Sequence, residues 1–274
     1  MHFGATLRLL RVDAGFSLRE LADRLGVSNA YLSRVENGHD AAPTPDRLVA
    51  IARTFGLPPT MLIELADRMK PLAADYLDTV PAARELLLDV VRRKLGPIEI
   101  ARIRAFIDRE FPSTTADARA GHVGRLFDPA RVVIGLSCAD LEDVVDVAAT
   151  RLAGDDGRAD AVTIAGSILS RERAAPSALG SGLAIPHAAI AGVTARAVAV
   201  TLRRPLKVDT PDGLPLRLVV VHVQPTSTSH ASRLADIADL ARLAEPEIVE
   251  KLAASRVPED LVSGILDALP RRAP

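Results

Sequence analysis

A disulfide framework is excluded at once, because the 274 residues contain a single cysteine, Cys138. The same scarcity rules out a structural zinc site built from several thiolates. Tryptophan is absent and tyrosine occurs twice, too few aromatic platforms for a single-strand nucleic-acid binder that works by base stacking. Neither sign of charge dominates: 34 basic side chains stand against 35 acidic ones, a formal net charge of −1. No global field draws the chain to nucleic acid or to an anionic membrane, so any such contact must be a local patch. No apolar run approaches the roughly 18 residues of a membrane span, and the opening MHFGATLRLLRVDAGFS lacks an apolar signal core. The expectation is a chain with no membrane partner, placed in the reducing cytoplasm.

What is present is ordinary globular material, 48% apolar and 25% charged, long enough for about two domains. Charge is unevenly shared: residues 128–274 hold 16 basic and 19 acidic side chains, so the C-terminal half is the mildly acidic one.

Residues 1–69 predict five short helices. Leu7, Leu10 and Ala14 share one face before Gly15 ends the first helix. Ser17 and Glu20 have the spacing of a capping box for the second, in which Leu21, Ala22 and Leu25 take core positions. Gly26 supplies the positive φ of a tight turn. Ser28 caps a third helix with Tyr31, Leu32 and Val35 as its packing residues, and Asn37-Gly38 stops it. Thr44-Pro45-Asp46 opens a fourth helix, closed at Gly56, and Pro58-Pro59 opens a fifth. Helix, tight turn, helix is the spacing of a helix-turn-helix, whose second helix can enter the major groove.

The run Arg11-Val12-Asp13-Ala14-Gly15-Phe16-Ser17, with Leu21-Ala22, Gly26-Val27-Ser28 and Tyr31-Leu32-Ser33-Arg34-Val35-Glu36-Asn37-Gly38, resembles the Cro/repressor-type (XRE) family. The resemblance implies a double-stranded DNA operator as partner. Ser28, Asn29, Ala30 and Ser33 fall at the groove-facing end of the recognition helix with Arg34 beside them, where Asn can pair with adenine and Arg with guanine. Arg11, Ser17 and Asn37 are placed for phosphate. The alternative for each polar residue is a solvated helix face. The family pairs the carboxylate at Glu36 with the Arg11 position, and it usually carries Gln where Leu18 stands here, which implies altered half-site contacts. A nearly neutral module binds DNA weakly alone, because affinity tracks the phosphates neutralised; two copies on a palindrome, a homodimer, would repair that.

Residues 70–124 predict a helical connector. RELLLDVVRRKL and IEIARIRAFIDREF are each amphipathic, separated at Leu95-Gly96-Pro97, and residues 112–124 have the small, polar composition of a linker. The segment is a candidate dimerisation element; a packing extension of the first domain is the alternative.

Residues 125–274 predict an α/β domain. The strand-like run ARVVIGL, the helices ADLEDVVDVAATRLA and AVTIAGSILSRER, and two β-branched runs, AVAVTLRRPLKV and LRLVVVHVQP, precede three further helices. The fold class is therefore multidomain α plus α/β. Arg171-Glu172, then Gly180-Ser181-Gly182 and Ile185-Pro186-His187, present an imidazole beyond a Gly-rich loop, with an arginine fork upstream for anion oxygens. Downstream, the hydroxyl-rich loop 225–229 ends in His230 at a helix start. A neutral imidazole is a good nucleophile near neutral pH, and a second His can stabilise charge in transfer.

This constellation resembles the fructose/mannitol-class enzyme IIA domain of the bacterial phosphotransferase system, a fold shared by its nitrogen-related branch. The resemblance places His187 on the phosphorylated histidine, Arg171 on the phosphate-site arginine and His230 on the second active-site histidine. It leaves Ser177 and Gly182 as phosphate-site support, with Ala174-Ala175-Pro176-Ser177 replacing a Leu-Gly-Ser-Thr-like run. It implies an HPr-like phosphocarrier as partner and no cofactor. His222, between apolar strand neighbours, reads as a buried or half-buried structural histidine. His2, His39 and His122 take no role, and Cys138 reads as core. His187, His222 and His230 could in principle form a three-histidine zinc site, but the arginine and Gly-rich loop favour an anion, so no metal is expected.

Joined, the two resemblances imply a bacterial DNA-binding transcriptional regulator that senses phosphotransferase state through phosphorylation of His187. Such a protein is a regulator rather than an enzyme, although an active site would make it a phosphohistidine carrier. Two alternatives stay open: a phosphocarrier that passes phosphoryl groups or docks partners, and a regulator whose degenerate pocket binds a small anion. The signalling reading requires the His187 ring to be open to water and faced by Arg171.

Overall fold

A computed structural model of the chain describes residues 3–66, 76–77, 79–110, 123–153 and 159–269. Residues 112–122 of the expected linker 112–124, the expected boundary at 69/70, His2 and His122 lie outside the described residues; Val123, at the linker's end, is helical and buried.

The N-terminal part forms the five expected helices: α1 (Phe3–Asp13), α2 (Leu18–Leu25), α3 (Asn29–Glu36), α4 (Pro45–Phe55) and α5 (Pro59–Leu65). Local chemistry sets the ends of α2 and α3. The Glu20 N–H donates to Ser17 Oγ and the Ser17 N–H donates to the Glu20 carboxylate, a closed capping box. Gly26, at φ 64°, ends α2 in the left-handed region, and Ser28 Oγ accepts from the Tyr31 N–H to start α3. Leu7, Leu10, Leu21, Leu32, Leu48, Ile51 and Leu62 fill the interior. Gly4 lets α1 lie against the end of α3, since a Cβ there would stand 2.1 Å from the Val35 carbonyl oxygen.

Two connector helices follow, α6 (Pro81–Arg92) and α7 (Pro97–Glu110). Helix α6 buries none of its residues, and Leu86, Leu87, Leu88, Val91, Ile98, Phe106 and Ile107 are all exposed.

The C-terminal part contains β1 (Val133–Leu136), α8 (Leu141–Leu152), α9 (Ala161–Ala174), β2 (Ala178–Gly180), β3 (Leu183–Ala184), β4 (His187–Ile190), β5 (Arg196–Leu206), β6 (Leu216–Pro225), α10 (His230–Ala241), α11 (Pro246–Ala253) and α12 (Pro258–Ala268). The sheet is mixed, in the order β1-β5-β6-β3-β2, and β4 also pairs with β6. Strands β5 and β6 form an antiparallel pair, while β1 is parallel to β5 and both β3 and β4 are parallel to β6. The two central strands are apolar on both sides because each face is covered. Val198, Val200, Val219 and Val221 join α8 and α9 in one core; Ala197, Ala199, Leu218 and Val220 point to the other.

That second core runs without interruption into the interior of the N-terminal module. Helices α1 and α5 pack on α10, and α1 also meets β2. The methyl group of Ala231 approaches Gly56, where a Cβ would lie 3.4 Å from it. Arg242 forms an ion pair with Glu64. Neither this contact nor its location could be read from local pattern.

Candidate functional site

The floor of the site is the edge where β4 runs beside β6. His187 opens β4 instead of ending a strand, and its register partner is His222. The His222 N–H donates to the Pro186 carbonyl, fixing the residue that precedes His187. His187 Nδ1 lies 2.7 Å from the Ile185 carbonyl oxygen. A carbonyl can only accept, so Nδ1 carries a proton and Nε2 is the nitrogen left for chemistry.

Arg171 does face the ring, but the expectation that the ring is open to water is corrected: Asp13 covers Nε2. The His187 side chain is only 9% exposed, and 2.9 Å from Nε2 stands Oδ2 of Asp13, the last residue of α1. Arg171, near the end of α9, converges on the same carboxylate: Nη2 donates to Oδ1 and Oδ2, each at 2.9 Å, and Nε donates to Oδ1 at 3.1 Å. Arg171 Nη1 donates to the Ala175 carbonyl, which aims the fork. Asp13 and Arg171 each keep 16% side-chain exposure. Burial works against the ionised form of Asp13, but the hydrogen bond and charge of His187, together with Arg171, outweigh it and hold the carboxyl below its ordinary value. Because an ionised carboxylate only accepts, its contact with Nε2 uses a proton on that nitrogen as well.

These groups border a cleft of about 180 Å³. Its other walls include Ala188, Ala189, His222, Gln224, His230, Arg233, Leu234 and Ile237. His230 is exposed at the start of α10, capped by Ser229, with its Nδ1 3.3 Å from Arg233 Nη2. Arg233 Nη1 donates to the Thr228 carbonyl at 2.6 Å. Gln224, buried on β6, donates to Asp236 at 2.6 Å.

The structure therefore brings together His187, Arg171 and His230. Ser177 is fully buried and does not line the cleft: its N–H donates to Glu172 Oε1 at 2.8 Å, its carbonyl accepts from the Ile185 N–H, and its hydroxyl has no partner. Gly182 is not brought to the cleft. At φ +81° it makes a close turn against Pro215 and accepts from the Arg217 and Leu218 N–H groups, lining a different hollow with Ser181, Leu214 and Glu250. His222 is buried as expected, with Nδ1 donating to the Arg196 carbonyl at 2.9 Å, yet it also borders the cleft. No group of three or more His, Cys, Asp or Glu among the described residues is placed to hold a metal.

Arg233, Gln224 and Asp13 were not singled out from the sequence as site residues. Arg233 was findable, since a residue three positions after His230 on a helix shares its face. Asp13 was not, because 174 positions separate it from His187.

On the N-terminal module, Ser28, Asn29, Ala30, Arg34 and Asn37 lie on the exposed side of α3, and Ser33 is half-buried. Ser17 and Ser28 are exposed caps. Arg34 donates to Asp40 from the surface, and Asn37 Nδ2 donates to the Ser33 carbonyl at 2.8 Å. Arg11 requires a correction as a phosphate contact. It is buried, Nε and Nη2 donate to the two Glu36 oxygens at 2.6 and 2.8 Å, and Nη1 donates to the Phe16 carbonyl at 2.8 Å. Three of its five N–H groups are thus spent inside the module, and the side chain is only 10% exposed.

A helix-turn-helix module joined to an α/β domain with a covered histidine and arginine defines a two-part protein class. Residues 125–268 match the family described as phosphoenolpyruvate-dependent sugar phosphotransferase system, EIIA 2, and residues 2–65 match a helix-turn-helix domain family. The chain belongs to the EIIA 2 family, with that helix-turn-helix domain at its N-terminus.

It is 36% identical over 106 residues to the PTS system 2-O-alpha-mannosyl-D-glycerate-specific EIIABC component of Escherichia coli, covering 36% of this chain but only 16% of that protein. It is 40% identical over 95 residues to an uncharacterized HTH-type transcriptional regulator of Mycobacterium tuberculosis, 32% of this chain and 67% of that one. Among solved structures, the nitrogen regulatory protein IIA-Ntr from Neisseria meningitidis matches at a TM-score of 0.49 and 23% identity, over 53% of this chain and 99% of that one.

Proposed function

We propose that this protein is a bacterial, XRE-type DNA-binding transcription regulator, acting in the cytoplasm, whose EIIA-like domain senses phosphotransferase state by accepting a phosphoryl group on His187. The observation that supports this is the convergence of His187 Nε2 and the Arg171 fork on one oxyanion, at present the Asp13 carboxylate. A pair that holds two carboxylate oxygens also suits two oxygens of a phosphoryl group. His230 and Arg233 add nitrogen donors at the rim, where negative charge would develop during transfer. Ser28, Asn29, Ala30, Ser33 and Arg34 are the groove-facing candidates, and Ser17 and Asn37 the phosphate contacts. The domain limits of this reading are 1–69, 70–124 and 125–274.

The phosphodonor in this reading is an HPr-like phosphocarrier, and the DNA-bound form is a homodimer. The exposed apolar side chains of α6 and α7 support a second copy as their partner, which supplies the second set of DNA contacts that a nearly neutral module needs. The test is a gel-shift titration on DNA selected from a random pool, using the unphosphorylated chain, the chain phosphorylated by phosphoenolpyruvate, enzyme I and HPr, and His187→Ala. We expect phosphorylation to change the affinity of the native chain and to leave His187→Ala unaffected. Equal affinity in all three removes the sensing mechanism.

A further inference from the structure

We propose that Asp13 is a built-in surrogate for the phosphoryl group, so that the helix-turn-helix module docks on the face through which a phosphodonor reaches His187, and docking and phosphorylation exclude each other. The inference rests on the reading above and supplies its mechanical step.

Local structure gives no reason for an acidic residue at position 13. It ends α1, where the partial negative charge of the helix C-terminus opposes a carboxylate. Its hydrogen bonds instead run 158 and 174 positions along the chain, to Arg171 and His187. The carboxylate occupies the fork of Arg171 and the free direction of Nε2 at once. With Nδ1 committed to the Ile185 carbonyl, Nε2 is the only ring nitrogen on which a phosphorus–nitrogen bond can form. Phosphorus and its three oxygens have no room while Oδ2 stands 2.9 Å from that nitrogen. Once formed, a phosphohistidine would add a charge of roughly −2 facing Asp13. Like charges on one arginine repel, and the module must leave.

The docked state also disarms the nucleophile. Nε2 meets Asp13 through a proton, so it has no lone pair to offer. Transfer begins when Asp13 withdraws and the Nε2 proton passes to water. The Nε2 lone pair then attacks the phosphorus of a donor phosphohistidine. The donor's phosphorus–nitrogen bond breaks, its electron pair stays on the donor ring, and Arg171 turns from the carboxylate to the phosphoryl oxygens. Around this centre the module is seated by α1 and α5 on α10 and by the Glu64–Arg242 pair, which is the surface a donor protein has to occupy to reach the ring.

The test uses the full chain as wild type, Asp13→Asn and Asp13→Ala. Asn keeps the shape and removes the charge; circular dichroism checks that each variant is folded. Reaction of His187 with diethyl pyrocarbonate is followed by peptide mass spectrometry, with the exposed His39 as internal reference. Both variants should react at least about tenfold faster at His187 than wild type, a cautious figure for removing one partner of a buried, hydrogen-bonded charge group. Phosphoryl transfer from phospho-HPr to His187 should accelerate in the same order. Unchanged diethyl pyrocarbonate rates in both variants would overturn the surrogate role. Faster modification with no phosphoryl uptake in any form would instead overturn the phosphorylation reading and leave Asp13 as the cover of an anion site.

Discussion

Replacing Arg11 with alanine should unfold the N-terminal module long before it changes any DNA contact. The Arg11 side chain is 10% exposed and that of Glu36 4%, and they meet through two parallel hydrogen bonds. Deleting the guanidinium leaves a carboxylate buried without a counter-charge, at a cost of about 3–5 kcal/mol. The lost bond to the Phe16 carbonyl adds about 1 kcal/mol. Against the roughly 5–15 kcal/mol that holds a domain together, this removes a large part of the module's stability. The assay is urea denaturation followed by circular dichroism, with amide hydrogen exchange of α3 as the local probe. The double variant Arg11→Met, Glu36→Leu should recover most of the loss, because a buried pair replaced by apolar groups of similar volume is often neutral. If Arg11→Ala kept its denaturation midpoint and lost only operator affinity, the residue would be a phosphate contact after all, and the burial argument would be wrong.

Acidification should undock the module through Asp13. Its carboxyl is held below its ordinary value of 3.8 in the docked form, so ionisation stabilises docking above 3.8 and this contribution disappears as pH falls through the lowered value. Small-angle scattering should show an expansion of the wild type in that acidic window that is missing from Asp13→Asn; the same profile for both refutes the assignment. Leu86→Ser combined with Val91→Ser, at side chains 57% and 63% exposed, should leave folding unchanged and convert a dimer to a monomer in sedimentation velocity. Persistence of the dimer would place the contact elsewhere.

The helices of the N-terminal module were legible because their signals are local. Ser17, Glu20, Gly26 and Ser28 act on neighbours within a few residues, and the observed boundaries follow them. The long strands β5 and β6 were equally visible as β-branched runs. The short strands β2 and β3, of three and two residues, are too brief to carry a periodic pattern; β3 forms against β6 and β2 against β3. Within the site, the resemblance led to His187, Arg171 and His230, which the fold does gather. It also suggested Gly182, which the fold turns away; on the N-terminal module Arg11 was read as a phosphate contact, and its partner Glu36 was expected but its burial was not. Asp13 sits inside the helix-turn-helix motif with no role legible there, since its partners Arg171 and His187 lie 158 and 174 positions along the chain.

Helix α1 has a consequence for how the two halves of the chain communicate. Near its start, Gly4 is wedged against the end of α3; at position 11 it is clamped to Glu36, the last residue of that same helix; two residues later it grips the histidine of the other domain. Positions 11 and 13 are only about 3 Å apart along the axis, so one short helix carries both the clamp on α3 and the grip on His187, and in the proposed reading release of Asp13 takes α3 along with it.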